Sequence, residues 1–558
     1  MKKIIPLAMA AAALPMGMWA QSPVDAYNLS QTELRGTARF MSMAGAFTAL
    51  GGDISTLTQN PAGIGVYRGS DVALTLDLNL MSSESSDIPL GSSWSKTHFD
   101  VNNFGYIGTF NVNSNVMKTF SYGVSYNRQK SFERQYRGGG MALESSLSNY
   151  IALLTDGTDP GAMMFDKDNN YNPYRDSDIN WLSILGFGAG VVNPVVGSVI
   201  EDDGSGNPVS VPVLTDTYNG LFQQPVYDSN GNLVVAPTTG TADFIVRERG
   251  HVDEYSINVG GNLANTVYWG LGIGITDLDF EQSAVYTETL KGANVPVSNH
   301  PIDGIEEGDC DWQLENWKKL TGTGFNLKLG LIFKPINEFR IGMAVHTPTW
   351  YSIHTAYNAA ADFGASNGLR SGDYTENADY DWNLRTPWRL MVGAAGVIGG
   401  RGIISVDYEY QAFDAMKTSN SYGDFNNYND YIKSDYKASN TIRIGGEFRV
   451  TPQFSIRAGY AHTSTNVKDE LKNNTVEVVT TGCNPAYNLN NDINYITAGL
   501  GYRAGGFYAD LAYIHRNMTS TYHCFTPFQD YDGYWTNAPQ AKITDNSSQL
   551  VLTVGYKF

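Results

Sequence analysis

A period of two runs through the chain. Reading back from the C-terminus, Phe558, Tyr556, Val554, Leu552 and Leu550 share one face, while Lys557, Gly555, Thr553, Val551 and Gln549 share the other. Successive side chains of a strand point to opposite faces, so one face here is apolar and the other mostly polar. The pattern recurs. Leu74, Leu76, Leu78 and Leu80 enclose Thr75, Asp77 and Asn79, and Phe325, Leu327, Leu329, Leu331 and Phe333 enclose Asn326, Lys328 and Gly330. Phe339, Ile341, Met343 and Val345 enclose Arg340, Gly342 and Ala344, while Ile442, Ile444 and Phe448 flank Arg443 and Glu447. A soluble sandwich would bury the bulky residues and expose the charges. Here the expected fold is all-β, a transmembrane antiparallel barrel with hydrocarbon outside.

About fourteen such segments occur, near the even strand number of bacterial barrels. They start near Val72, Phe104, Phe120, Tyr255, Trp269, Phe325, Phe339, Trp388, Ile403, Ile442, Phe454, Ile496, Phe507 and Leu550. Short links rich in turn residues fall at Asn113–Lys118, Leu263–Val267, Lys334–Glu338, Gly399–Arg401, Val450–Gln453 and Ala504–Gly506, and long links alternate with them. Short periplasmic turns and long external loops are the polarity of outer-membrane barrels, which places both termini in the periplasm of a Gram-negative cell. Past residue 20 no apolar run approaches the roughly 18 to 20 residues of a spanning helix, so insertion falls to strands.

Composition agrees. Of 558 residues 17% are charged, with 58 Gly, 34 Tyr, 24 Phe and 10 Trp, which suits a barrel whose two faces differ. The 37 Lys and Arg against 56 Asp and Glu give a net charge of −19, which excludes a generic nucleic-acid binder. Residues 1–20 read as a signal peptide: Lys2 and Lys3, an apolar run from Ile4 to Trp19, then Ala20. A final strand bounded by aromatics and ending on Phe558 is the usual outer-membrane signature, so barrel assembly machinery is an expected partner in biogenesis.

The longest loop, 132–250, carries helical spacing. From Leu143 onward Leu147, Tyr150, Ile151 and Leu154 share one face; after a cap at Asp178, Trp181, Ile184, Leu185 and Phe187 form another apolar set. Residues 202–207 and 228–232 read as hairpin turns, making the loop a small extracellular cap. Its apolar faces suit two readings. They form a capture groove for a hydrophobic ligand, or they pack on each other.

Residues 21–69 do not alternate, and Met43–Gly65 is dominated by small residues that permit close packing in a confined space. The stretch resembles the start of the FadL/TodX family of outer-membrane transporters for long-chain fatty acids and aromatic hydrocarbons. The resemblance rests on Ala44, Gly45 and Ala46, on Asp53 and Ser55, and on Asn60, Pro61, Ala62 and Gly63. Thr386–Leu390, Asp407–Tyr410, Arg443–Phe448, Arg457–Tyr460 and Gly499–Arg503 are similar to family strands. It implies a fourteen-stranded barrel over 70–558, a hatch over 21–69 inside it, capture in the external loops and sideways release through the wall. It also implies a small hydrophobic ligand and outer-membrane lipid as partners, with no cofactor. In the hatch element, Pro61 would fix a bend and Asn60 would supply side-chain hydrogen bonds to backbone. The plainer reading is a turn leading into the first strand.

The alternation turns Arg340, Arg389, Asp407, Glu409, Arg443, Glu447 and Arg457 into the lumen. They form a selectivity ring or an ion-pair network that anchors the hatch. An apolar cargo gains nothing from crossing such a bore, which favours a lateral exit. Asp166, Asp168 and Asn170 have calcium-loop spacing, but Tyr171 replaces the required glycine, so no metal is expected. Gly499, Gly501 and Ala504 imitate a dinucleotide fingerprint without a following helix. Cys310, Cys483 and Cys524 fall in external loops, and Cys483 with Cys524 is the candidate disulfide. Motifs of serine hydrolases, zinc proteases and P-loop enzymes are missing, and His346 and His354 read as lumen or loop residues, so no enzyme and no catalytic residue is expected. Two other functions compete with hydrophobic uptake: a receptor for a larger amphipathic ligand such as haem, and a surface adhesion or structural barrel that transports nothing.

Overall fold

The computed structural model describes residues 22–112, 114–202, 207–228, 230, 233–421, 423–424, 426–473, 476–480, 482–529 and 535–558. The signal-peptide segment lies outside the described residues, as do most of the two expected hairpin tips in the long loop.

Fourteen strands form one closed antiparallel ring. They are β1 (Asp71–Ser86), β2 (Ser93–Asn111), β3 (Met117–Ser131), β4 (Thr239–Leu263), β5 (Val267–Pro296), β6 (Ile305–Ile336) and β7 (Phe339–His346). The ring continues with β8 (Arg389–Ile398), β9 (Gly402–Gln411), β10 (Ser439–Arg449), β11 (Phe454–Thr463), β12 (Tyr487–Ala504), β13 (Phe507–His523) and β14 (Gln540–Lys557). Each pairs with its neighbour in sequence, and β14 closes on β1 from Asp71↔Lys557 to Ser86↔Lys542. Closure leaves the ring no free edge, which a barrel in hydrocarbon requires. Among the described residues no helix is long and apolar enough to cross a membrane.

The outer face carries an apolar belt. Leu329, Ile444 and Leu552 are 49%, 47% and 40% exposed, whereas the inward Lys328 is 4% exposed. Aromatic residues bound the belt at both ends. Phe454 and Tyr502 stack near the short turns with ring centres 5.0 Å apart; Tyr126 with Tyr255 (5.5 Å) and Phe325 with Trp350 (5.0 Å) mark the loop side. A band of lipid-facing apolar residues between aromatic girdles is the build of a membrane-spanning barrel.

Several strands begin earlier than the sequence pattern places them. β2 starts at Ser93 rather than Phe104, β4 at Thr239 rather than Tyr255, β6 at Ile305 rather than Phe325, and β14 at Gln540 rather than Leu550. Above the belt the outer face meets water and the inner face packs on the cap, so the ladder continues with the apolar residues, such as Phe244, Val246, Trp312 and Leu314, on the inner face instead of the outer. In the long loop the first cap helix spans Leu147–Thr155 behind a Ser146 cap, and the second spans Trp181–Gly188. The second cap is Asn180, whose side chain accepts from the Leu182 amide, rather than the expected Asp178.

Two irregularities break the wall. β2 and β3 pair from Asn111↔Thr119 up to Asn103↔Asn127, and among the described residues their ladder stops there. β1 nevertheless stays paired to β2 as far as Glu84↔Ser93, and β3 to β4 as far as Ser131↔His251. Asn102 is an extra residue on β2 at this level, between the rungs Thr75↔Asn103 and Leu76↔Val101. The second break lies where β7 and β8 meet their upper continuations, Trp350–Ala365 and Ala378–Arg385. There Thr347–Pro348–Thr349 faces Thr386–Pro387–Trp388, and neither proline has an amide hydrogen to give.

Candidate functional site: a plugged bore with a parted wall

Residues 22–70 lie inside the ring. Helix α1 (Pro23–Ser30) is followed by an extended run, then α2 (Ala38–Ser42), α3 (Thr56–Gln59) and a 3-10 turn, Pro61–Val66. Short helices this small do not hold by propensity, so their stability comes from the wall around them. The wall makes room. A methyl group added to Gly330 would lie 1.9 Å from Asn60 Oδ1, one on Gly342 1.9 Å from Thr48 O, and one on Gly270 2.2 Å from the Pro61 carbonyl. Inward glycines of β5, β6 and β7 thus let the plug backbone rest directly on the barrel.

Asn60 does two jobs. Its Oδ1 accepts from the Ala62 amide at 3.1 Å and caps the 3-10 turn, while its Nδ2 donates to Thr48 O at 2.6 Å. Pro61 opens that turn, and Ala62 and Gly63 are fully enclosed.

The inward charges meet the plug one by one. Arg340 Nη1 donates to Leu50 O at 2.6 Å, and Asp407 Oδ2 accepts from the Thr48 amide at 2.7 Å. Glu409 is held by Arg389 Nε at 2.7 Å and Arg443 Nη2 at 2.6 Å. Glu447 receives Arg457 Nε at 2.6 Å and, from the plug, Arg39 Nε at 2.9 Å. Each carboxylate named here has a donor within hydrogen-bond distance, the arrangement that buried charges need.

The sequence pattern misses three parts of this network. Glu33 and Arg35, on the run after α1, pair with Arg516 and Asp77 of the wall. Lys328 meets the buried Glu254 across β6 and β4. Asp77 and Lys328 sit at inward positions of recognised strands, which was their available signal; Glu33 and Arg35 lie in an irregular run that offers none.

Above this layer an apolar cluster encloses α1, while polar residues such as Glu248, Gln282 and Asn316 line the space beside it. α1 sits in a cluster with Val252, Leu278, Leu320, Ile353 and Trp382 of the upper wall, and Tyr27 stacks on Tyr436 with centres 4.9 Å apart. Asp25 anchors it to Lys318 at 2.5 Å. The first described residue, Ser22, therefore lies on the loop side, and Phe558 lies at the short-turn end, where it pairs with Ser70.

A cavity of about 110 Å³ separates plug from wall and is lined by Glu33, Gln59, Asn127, Gln129, Arg443 and Tyr495. Asn127 and Gln129 stand where β2 and β3 part. At that parting the Glu33 amide donates to Gln129 O (3.1 Å), Asn102 Nδ2 donates to Gly36 O (2.8 Å), and Arg128 spans to Asp100 (2.6 Å). Phe99 and Val101 of β2, 61% and 40% exposed, face outward beside it. The parting thus begins at the loop-side edge of the belt, and side chains together with the plug close it.

The cap faces turn inward. Leu147, Ile151, Trp181, Ile184 and Leu185 are buried against each other and the upper wall, while Tyr150, Leu154 and Phe187 stay partly exposed. Glu288 of β5 fastens the first cap helix: it accepts from the Leu147 amide (2.9 Å), Tyr286 Oη (2.6 Å) and Trp312 Nε1 (2.9 Å), and contacts Ser146. Burial raises its carboxyl above the ordinary value.

The expected Cys483–Cys524 disulfide is corrected: Cys310, Cys483 and Cys524 are all free and buried. Cys483 is held through its backbone, whose amide donates to Tyr357 Oη at 2.5 Å, and its thiol stays within the apolar cap cluster, where burial pushes it up to about 12. Asp166 folds onto its own turn, accepting from the amides of Asp168 and Asn169. His346 faces the lumen and bonds Gln59 O at 2.7 Å, and His354 lies outside against Asp381 at 2.9 Å.

No protein-family profile and no curated protein matches the sequence. The fold is similar to solved structures. A FadL homologue of Pseudomonas aeruginosa is 12% identical over 94% of this chain and 99% of that one, with a TM-score of 0.48. The P. putida toluene transporter TodX is 11% identical over the same shares, with a TM-score of 0.45. The Ralstonia pickettii toluene transporter TbuX is 12% identical over 94% and 99%, with a TM-score of 0.42.

Proposed function

We propose that the protein is an outer-membrane channel for passive uptake of small hydrophobic molecules of the fatty-acid or hydrocarbon class. The observation that carries this reading is the parting of β2 and β3 at the loop-side edge of the belt, next to the apolar cluster that encloses α1. Tyr150, Leu154 and Phe187 offer the cap's open apolar surface for capture. Cargo then takes the place of α1 among the apolar residues of the upper wall. The lower bore would strip an apolar molecule of its surroundings and oppose it with charges, at a cost of several kcal/mol (about 2 or more per unpaired polar group). Displacing the run Glu33–Gly36, which bridges the parted strands, together with the Arg128–Asp100 pair that spans them, opens a route sideways into lipid that bypasses the charged lower bore.

The test is flux of a fluorescent long-chain fatty acid and of a labelled monoaromatic into liposomes bearing the protein. Deleting Asn60–Ala62 should reduce uptake while the barrel stays folded. Unchanged uptake by that folded variant would overturn hatch-dependent transport, and absence of any flux in the wild type would leave the adhesion reading standing instead.

A further inference from the structure

On the outer surface, at the loop-side edge of the belt, lies a groove of about 680 Å³. Its floor is Ile275, Phe325 and Trp350, 49%, 51% and 36% exposed. Its polar side is built by Arg385 and Lys417, with Ser419 beyond them. The upper continuations of the second wall break create it, because Trp350–Ala365, Ala378–Arg385 and Lys417–Asn420 carry the sheet on past the prolines.

The register is specific. Trp350 pairs with Arg385, and Arg385 pairs with Lys417, so one aromatic and two cations stand in a row across three strands, all facing outward. Like charges directly opposite on neighbouring strands repel and destabilise a sheet. Only part of that repulsion is relieved from within: Asp424 lies 3.4 Å from Lys417. Among the described residues Arg385 has no carboxylate partner; its Nη2 reaches Ala415 O at 3.5 Å, and its Nε is buried without an acceptor. The site holds a surplus positive charge beside an apolar floor on the same rung, from Ile275 through Phe325 and Trp350 to Arg385 and Lys417, at the level where the aromatic girdle marks the headgroup region.

We propose that this groove binds a phosphate-bearing lipid of the outer leaflet, its phosphate between Arg385 and Lys417 and an acyl chain along Ile275, Phe325 and Trp350. The guanidinium fork and the ammonium group are both suited to phosphate oxygens. The inference rests on the barrel's seat in the membrane and not on transport, so it stands even if nothing passes through the bore.

The experiment is native mass spectrometry of the full barrel, released from an uncharged detergent, with an acylated glycolipid monophosphate and its dephosphorylated counterpart. Wild type should retain the phosphorylated lipid at least tenfold better than the dephosphorylated one. Arg385→Gln with Lys417→Gln should erase that preference, Lys319→Gln should keep it, and Asp424→Asn should strengthen it by removing the competing acid. Equal retention of both lipids, or an unchanged preference in the folded double variant, overturns the proposal. Displacement of the lipid by equimolar inorganic phosphate also overturns it, in favour of a free-anion site. Should the double variant fail to fold, Asp424→Asn decides alone: no gain in retention sinks the idea.

Discussion

Arg39 of the plug and Glu447 of the wall lie 2.9 Å apart, and Arg457 shares the same carboxylate oxygen at 2.6 Å. Removing this carboxylate takes away the salt-bridge partner of the enclosed Arg39, while Arg457 keeps Asp510 at 2.6 Å. Breaking a buried pair by deleting one partner costs about 3–5 kcal/mol. Glu447→Ala should therefore loosen the plug, read as faster protease cleavage within residues 22–70 while the barrel still resists heat. Equal cleavage of variant and wild type would deny the pair its anchoring role.

Asn60→Ala removes both the cap of the 3-10 turn and the bond to Thr48. The loss of a buried hydrogen-bonding side chain is worth about 1–3 kcal/mol. Planar-bilayer recordings should show more frequent opening to small ions, with the thermal transition of the sheet unchanged.

Gly330→Ala places a methyl group against Asn60 Oδ1 and 2.8 Å from the Ala62 amide, neither of which can retreat without moving the plug. Leak currents should exceed those of Gly396→Ala, whose new methyl group has no neighbour nearer than 3.9 Å. Identical currents would mean that plug and wall touch less tightly than the geometry states.

Leu329→Arg puts a cation in mid-belt, where the expected destabilisation is about 2–4 kcal/mol, falling to about 0–1 at the interface. Thr323→Arg, two rungs past the belt edge on the same strand, serves as the interfacial comparison. Equilibrium unfolding in lipid should separate the two by that difference.

The cap should weaken as pH rises. Burial lifts Glu288, Asp373 and Glu477 above the ordinary carboxylate value of about 4. An acid whose folded value is raised takes up a proton on folding, so its favourable contribution is complete below the unfolded value and fades as pH climbs through the folded one. Protection factors over residues 143–202, corrected for the pH dependence of intrinsic exchange, should be higher at pH 5 than at pH 8. Glu288→Gln, which keeps one acceptor oxygen for Tyr286 and the Leu147 amide and gives up the one facing Trp312, should flatten that dependence.

The belt was legible because lipid demands an unbroken apolar face: Leu329, Ile444 and Leu552 point outward as their alternation requires, and every short turn falls where Asn, Gly or Pro marks it. The inward charges were legible by the same parity. The extensions above the belt were not, since their alternation is inverted: Phe244, Val246, Trp312 and Leu314 are buried inward against the cap while Arg247, Asp311 and Glu315 face water. Nor was α1. Its eight residues, from Pro23 to Ser30, carry no amphipathic stripe because the upper bore buries all of them but Asn28. The disulfide failed for a similar reason, as adjacency of loops in sequence says nothing about whether two thiols face one another.

The ring is sealed by its first and last strands, with residues 22–70 already enclosed. With β14 laddered to β1 from Asp71↔Lys557 to Ser86↔Lys542, the enclosed segment has no edge strand to slip past, so its escape would have to break that seam.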